Sequence, residues 1–182
     1  MDKFTYELYL SKDQIEDIVT DMASEIDAYC THSNISDLLV LGVMNGALFF
    51  VSDLLKQIHT DVELHTIRTK SYYNNSNENS TLTCLGLEYV PLKNRTILIV
   101  DDVYDSGQTL DWLRETLLQL GAKQVLSCVL INKVPGHPNK VANLDFVGHI
   151  MTKKEFLVGY GMDDNGYCRN LTGIVIKKEV TE

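Results

Sequence analysis

The sequence predicts an α/β fold: a mostly parallel twisted sheet with helices on its faces, and a small added subdomain of short strands. Three observations predict it. Short, wholly apolar runs such as "LLVLGV" (38–43) and "ILIV" (97–100) read as strands buried on both faces. Helical-period segments separate those runs, as crossover connections between parallel strands require. Near the C-terminus, three short strand-like runs follow one another with turns and no helix between them. At 182 residues the chain suits one domain, 1–182, with a substantial core.

The elements follow in order. Ser11 and Gln14 form a capping-box pattern ahead of Ile15, Ile18, Val19, Met22, Ala23 and Ile26, whose spacing predicts an amphipathic helix. Leu38 to Val43 is a buried strand, Asn45-Gly46 a turn, and "ALFFVSDLLKQI" a second helix. "VELHTIRTK" is a further strand. Asn, Ser and Glu then replace every aliphatic residue from Tyr73 to Thr81, so this segment cannot bury itself and reads as a loop, with strand character returning over Leu82 to Val90. Ile97 to Asp101 is the next buried strand. Leu110 to Leu120, with Leu113, Leu117 and Leu120 on one face, is a helix closed by Gly121. "QVLSCVLIN" is a strand, "VPGHPNK" a polar turn, and "DFVGHI", "FLVGYG" and "GIVIKK" are the three terminal strands.

Composition excludes several function classes. A net charge of −9 opposes broad binding to a nucleic-acid backbone, which needs clustered Lys and Arg. The longest apolar runs fall short of a membrane span, and the acidic N-terminus lacks the apolar stretch of a signal peptide. Cys30, Cys84, Cys128 and Cys168 are scattered without a CxxC or zinc-ligand spacing. Reduced thiols and a cytoplasmic location are the expectation.

The chemistry concentrates in "ILIVDDVYDSGQTL", 97–110. Open α/β sheets bind ligands at the carboxyl ends of their strands, where Asp101 and Asp102 stand. The "DSGQT" that follows supplies backbone N–H groups at a helix start and hydroxyls from Ser106 and Thr109, a combination that cradles a phosphate. Carboxylates beside such a cradle would repel the ligand unless they face a cation, sugar hydroxyls or a proton in transit. A sugar phosphate carrying a metal ion meets all three conditions.

This stretch resembles the phosphoribosyl pyrophosphate (PRPP) signature of the type I phosphoribosyltransferases. "LVLGVMNGALFFVSDLL", "KSYYNNSNENSTL", "VLINK" and "DFVGHIMTKKEFLVGYGMDDNGYCRNL" narrow the resemblance to the hypoxanthine-guanine phosphoribosyltransferases. It implies the type I phosphoribosyltransferase fold with a small hood subdomain, to which residues 145–182 contribute, and a lid loop over about 71–81. It implies that Asp101 and Asp102 face the ribose hydroxyls and Mg²⁺, and that Asp105, Ser106, Gly107, Gln108 and Thr109 wrap the 5′-phosphate. Asp105 becomes the catalytic acid/base near purine N7. Lys133 donates to the exocyclic oxygen of a 6-oxopurine, Phe156 stacks on the base, and the backbone of Leu157 together with Asp163 reads its edge. Asp163 also holds a second Mg²⁺, while Arg169, Asn45 and Gly46 bind pyrophosphate. A non-proline cis peptide is expected at Met44-Asn45. Ser71 and Tyr72 open the lid. Asn45 stands where many members carry lysine, which shifts pyrophosphate binding toward backbone N–H groups and Arg169. Asp101 stands where glutamate is common.

The implied activity is purine salvage: transfer of 5-phosphoribosyl from PRPP to hypoxanthine or guanine, with Mg²⁺, in a homodimer or homotetramer that binds only small molecules. Two alternatives share the fold. One is a xanthine-preferring enzyme, since these bases differ only at C2. The other is a non-catalytic regulator that senses PRPP or nucleotides, a class that tends to lose the acid at Asp105 and to gain a basic surface. A receiver domain fails because only 81 residues follow Asp101, and a P-loop nucleotidase fails because GxxxxGK[ST] is absent.

Overall fold

A computed structural model describes residues 4–72, 81–136 and 143–179. Strand β1 (Phe4–Leu10) leads into α1 (Lys12–His32), whose N-cap Ser11 and N3 residue Gln14 exchange both capping-box hydrogen bonds. Next come β2 (Leu38–Met44), α2 (Leu48–Leu55), β3 (Val62–Tyr72), β4 (Thr81–Leu85), β5 (Thr96–Tyr104), α3 (Gln108–Gln119), β6 (Gln124–Lys133), β7 (Phe146–Met151), β8 (Phe156–Val158) and β9 (Ile174–Glu179).

Among the described residues the main sheet has six strands in the order β4-β3-β2-β5-β6-β7. The pairings β2/β3, β2/β5, β5/β6 and β6/β7 are parallel, and β4 adds to the edge antiparallel. One face packs on α1 and α2 through Ile15, Val19, Ile26, Phe50 and Leu54. The other packs on α3 through Leu110, Leu113 and Leu117. The residues of β2 from Leu38 to Leu41 are wholly buried because helices cover both sides, which is why the strand reads as a continuous apolar run.

After β2 the chain crosses to β3 on one side, and after β5 it crosses to β6 on the other. The order therefore reverses between β2 and β5, opening a crevice at their carboxyl ends where α/β sheets take their ligands. A second sheet, β1-β9-β8, is antiparallel and sits beside this crevice as a hood.

Three readings of the sequence change. The hood is built from both chain ends: β1, which was not anticipated, pairs with β9, whereas "DFVGHI" joins the main sheet as β7. The strand expected over Leu82 to Val90 stops at Leu85, because Gly86 at φ 96° turns the chain into a single 3₁₀ turn at Leu87–Tyr89. Strand β5 runs three residues past Asp101, so both acids belong to the strand. Of the expected lid, residues 73–80 lie outside the described residues, and Ser71 and Tyr72 form the last residues of β3.

Candidate active site

Strand alternation sorts the acid pair. Successive side chains of β5 point to opposite faces, so Asp101 lines a cradle of about 100 Å³ with Val103 to Leu110, and Asp102 lines a cleft of about 340 Å³ beside it. Only 8% of Asp101 is exposed. Burial pushes its carboxyl well above the usual range, and the charge of Asp102 adds to that push. Burial also raises Asp102, against a hydrogen bond from Asp101, hydrogen bonds from the local backbone and, least, the charge of Arg169. Asp101 is buried, whereas Asp102 is half-buried at the wall of the cleft.

The cradle is made by the turn into α3. Gly107 occupies the N-cap at φ 78° and has no side chain to cap the helix, so amides of the first turn of α3 beyond Gln108 are open to a ligand. Ser106 Oγ accepts from Gln108 N at 3.4 Å, folding the loop inward. Thr109 lines the same cradle. Behind it, Arg114 of α3 donates to Val125 O at 2.9 Å, Ser127 Oγ at 2.9 Å and Asp145 Oδ2 at 2.6 Å, which staples the helix to the starts of β6 and β7.

The cleft gathers Gly46, Asp102, Asp105, Lys133, Phe156, Leu157, Asp163 and Arg169. They come from the ends of β2, β5 and β6 and from the hood. Lys133 Nζ lies 2.8 Å from Asp105 Oδ2, so the ammonium rests on the carboxylate at the border between cleft and cradle. Phe156 is 52% exposed, so its ring is open to a flat partner in the cleft. Leu157, next along β8, is buried and paired with β9.

The far wall is a stack of close backbone approaches. A Cβ on Gly46 would overlap the Asp102 carboxylate, and one on Gly161 would overlap the Gly46 carbonyl. Arg169 Nη1 donates to Gly161 O at 2.6 Å, and Arg169 Nη2 pairs with Asp163 Oδ1 at 2.7 Å. Gly166 N donates to the other Asp163 oxygen at 2.7 Å. The Met44-Asn45 peptide is cis. Tyr160 donates its hydroxyl to Asp53 Oδ2 of α2 at 2.9 Å, which ties the hood to the helix that follows the Asn45-Gly46 turn. Sequence reasoning missed this pair, since neither residue belongs to a recognisable motif.

Of the site residues named from sequence, Asp101 and Asp105 to Thr109 line the cradle, and Gly46, Asp102, Asp105, Lys133, Phe156, Leu157, Asp163 and Arg169 line the cleft; Asn45 lines neither and precedes Gly46 in the chain, and the side chains of Ser71 and Tyr72 lie outside the description. Among the described residues no three His, Cys, Asp or Glu side chains converge to hold a metal alone. That donor set suits a hydrated cation bound by one or two carboxylates and completed by ligand oxygens.

Comparison with known proteins gives the same direction. The model of the phosphoribosyl transferase domain matches residues 6–165. The chain is 32% identical over 176 residues to the hypoxanthine-guanine phosphoribosyltransferase of Bacillus subtilis, covering 95% of this chain and 94% of that one. It is 32% identical over 172 residues to the bifunctional protein TilS/HprT of Listeria innocua, and there it spans 94% of its own length but only 26% of the relative's. Among solved structures, a hypoxanthine-guanine phosphoribosyltransferase of Bacillus anthracis superposes with a TM-score of 0.83 at 25% identity, covering 96% of this chain and all of that one.

Proposed function

Because this chain belongs to the phosphoribosyltransferase family, on its hypoxanthine-guanine branch, we propose that it transfers the 5-phosphoribosyl group of PRPP to a 6-oxopurine. The bond from C1′ to the pyrophosphate oxygen breaks, a bond from C1′ to purine N9 forms, and pyrophosphate leaves. Hypoxanthine would give IMP and guanine GMP. The observation that carries the reading is the Lys133–Asp105 contact of 2.8 Å, set between an amide-lined cradle and a cleft faced by Phe156.

Each group then has a task that follows from its chemistry. The amides of Ser106 to Thr109 hold the 5′-phosphate at the α3 N-terminus, where both dipole and donors favour an anion. Asp101 and Asp102 accept from the ribose hydroxyls. Asp101 and Asp102 would hold the Mg²⁺ that accompanies PRPP and Asp163 a second one, each ion completed by ligand oxygens, and the ions would supply charge neutralisation for the departing pyrophosphate. Arg169, with the amides of Asn45 and Gly46, orients the pyrophosphate.

Purine selection falls to the other wall. Lys133 is a donor-only ammonium, so it accommodates a 6-oxo group and refuses a 6-amino group. As O6 draws on Lys133, Asp105 turns to N7 and takes the proton from it as N9 attacks, so the nucleotide forms with an uncharged base and the proton rests on Asp105. Phe156 stacks on the base, and the backbone of Leu157 reads its C2 edge. Leu48 and Phe49, exposed beside the Asn45-Gly46 turn at 50% and 37%, support a homodimer or homotetramer. The four free cysteines support a cytoplasmic role in purine salvage.

Nucleotide formation from PRPP, Mg²⁺ and hypoxanthine tests the proposal. Absence of turnover together with retained nucleotide binding would favour a sensor built on the same fold.

A further inference from the structure

The hood carries a side-chain row of which the roles above use only Phe156. Phe156 of β8, Lys177 of β9 and Tyr6 of β1 are direct cross-strand partners, so all three project from one face of the hood sheet. Phe4 lies on that face two residues along β1. Lys177 Nζ sits 3.9 Å from the centroid of the Phe4 ring and 5.9 Å from that of Phe156. It also lies 2.6 Å from Asp164 Oδ2, with side-chain exposures of only 16% for Lys177 and 13% for Asp164. Tyr6 donates its hydroxyl to the same oxygen at 3.1 Å.

Asp164 is the residue after Asp163. Its backbone exchanges hydrogen bonds of 3.1 and 3.0 Å with Tyr167, closing the turn whose Gly166 amide holds the Asp163 carboxylate. The Lys177 ammonium therefore reaches both parts of the purine wall: the stacking ring at the outer range of a cation–π interaction, 5.9 Å from its centroid, and the Asp163 turn through Asp164. Core packing of β9 rests on the opposite face, where Ile174 and Ile176 are buried. Removing the amine leaves that packing in place.

We propose that Lys177 is a positioning residue for the purine: it fixes the Phe156 ring and the Asp163 turn relative to each other, and with Phe4 and Tyr6 it makes β1 a working part of the purine site. This rests on the function proposed above. An exposed ring that is pre-set loses less freedom when a base stacks on it than one that is mobile.

The test separates substrates. In steady state, Lys177→Met raises the KM for hypoxanthine about five- to tenfold while the KM for PRPP moves less than about twofold, and Lys177→Arg restores the hypoxanthine value to within about twofold. Asp164→Asn added to Lys177→Met costs little more than Lys177→Met alone, because the two act as one unit. Equal shifts in both KM values, an unchanged hypoxanthine KM, or no rescue by Arg would each overturn the proposal. Calorimetric binding of IMP and of ribose 5-phosphate gives a readout without turnover: Lys177→Met weakens IMP about fivefold or more and leaves ribose 5-phosphate unaltered. Wild-type protein that bound IMP without turning over would sink the enzymatic reading alone, and the binding contrast would still decide the role of Lys177. Wild-type protein that bound neither ligand would sink both.

Discussion

Asp105 and Lys133 were named from sequence only because "DSGQT" and "VLINK" resemble motifs of one family; a lone strand-end lysine reads otherwise as a solvated charge. Their contact at 2.8 Å makes separable predictions. Asp105→Asn keeps the shape and the loop amides but loses the proton carrier, so kcat falls by about 10²–10⁴ while PRPP affinity changes far less. A near-normal rate in this variant would remove Asp105 from acid/base work. Lys133→Ala raises the KM for purine by more than that for PRPP, and equal losses would contradict its contact with the base. Tyr160, Asp53, Asp164 and Lys177 were illegible because their meaning lies in pairing between distant parts of the chain. No local pattern announces such a pair.

Elements were legible in proportion to how locally their signals act. The capping box, the apolar period of α1 and the buried runs of β2, β5 and β6 all lie within short windows, and the structure has them. Strand β1 did alternate, with Phe4, Tyr6 and Leu8 in one phase, but that phase is the exposed one and its partner β9 lies at the other end of the chain. Two predictions belong at this scale. Gly46 lies so close to Asp102 that a methyl group would displace the turn after β2; Gly46→Ala lowers kcat/KM about 100-fold and weakens inhibition by pyrophosphate. An unimpaired variant would show that the close approach has no functional weight. Asp27 of α1 accepts from His59 N, Thr60 N and Thr60 Oγ1, anchoring the turn before β3. Burial acts to raise its carboxyl, but these hydrogen bonds outweigh it and hold the pKa below the ordinary 3.8. The stabilisation is therefore present above that value and is lost as pH falls through the lower folded one. Asp27→Asn costs about 1–2 kcal/mol at pH 7, roughly 3–6 °C in Tm. Thermal melts should show the deficit shrinking toward zero in acid; a constant deficit would point to lost packing instead.

For the molecule as a whole, the sheet order places the carboxyl ends of β2 and β5 around one crevice, and the hood from the two chain ends closes its side. The placement reconciles so acidic a chain with the anionic substrates proposed for it: local amides, Arg169 and Lys133 line the crevice, while the net charge of −9 belongs to the surface as a whole. The parallel α/β class was legible because the alternation of strand and helix is itself a sequence pattern. The split of the hood between both termini was not, since it depends on where the ends meet. Nucleotide formation from PRPP and Mg²⁺, with hypoxanthine, guanine, xanthine, adenine and uracil offered in parallel beside a metal-free control, tests the central claim most directly. Metal-dependent turnover confined to the 6-oxopurines is the predicted result, and turnover of adenine or uracil, or of no base at all, would contradict it.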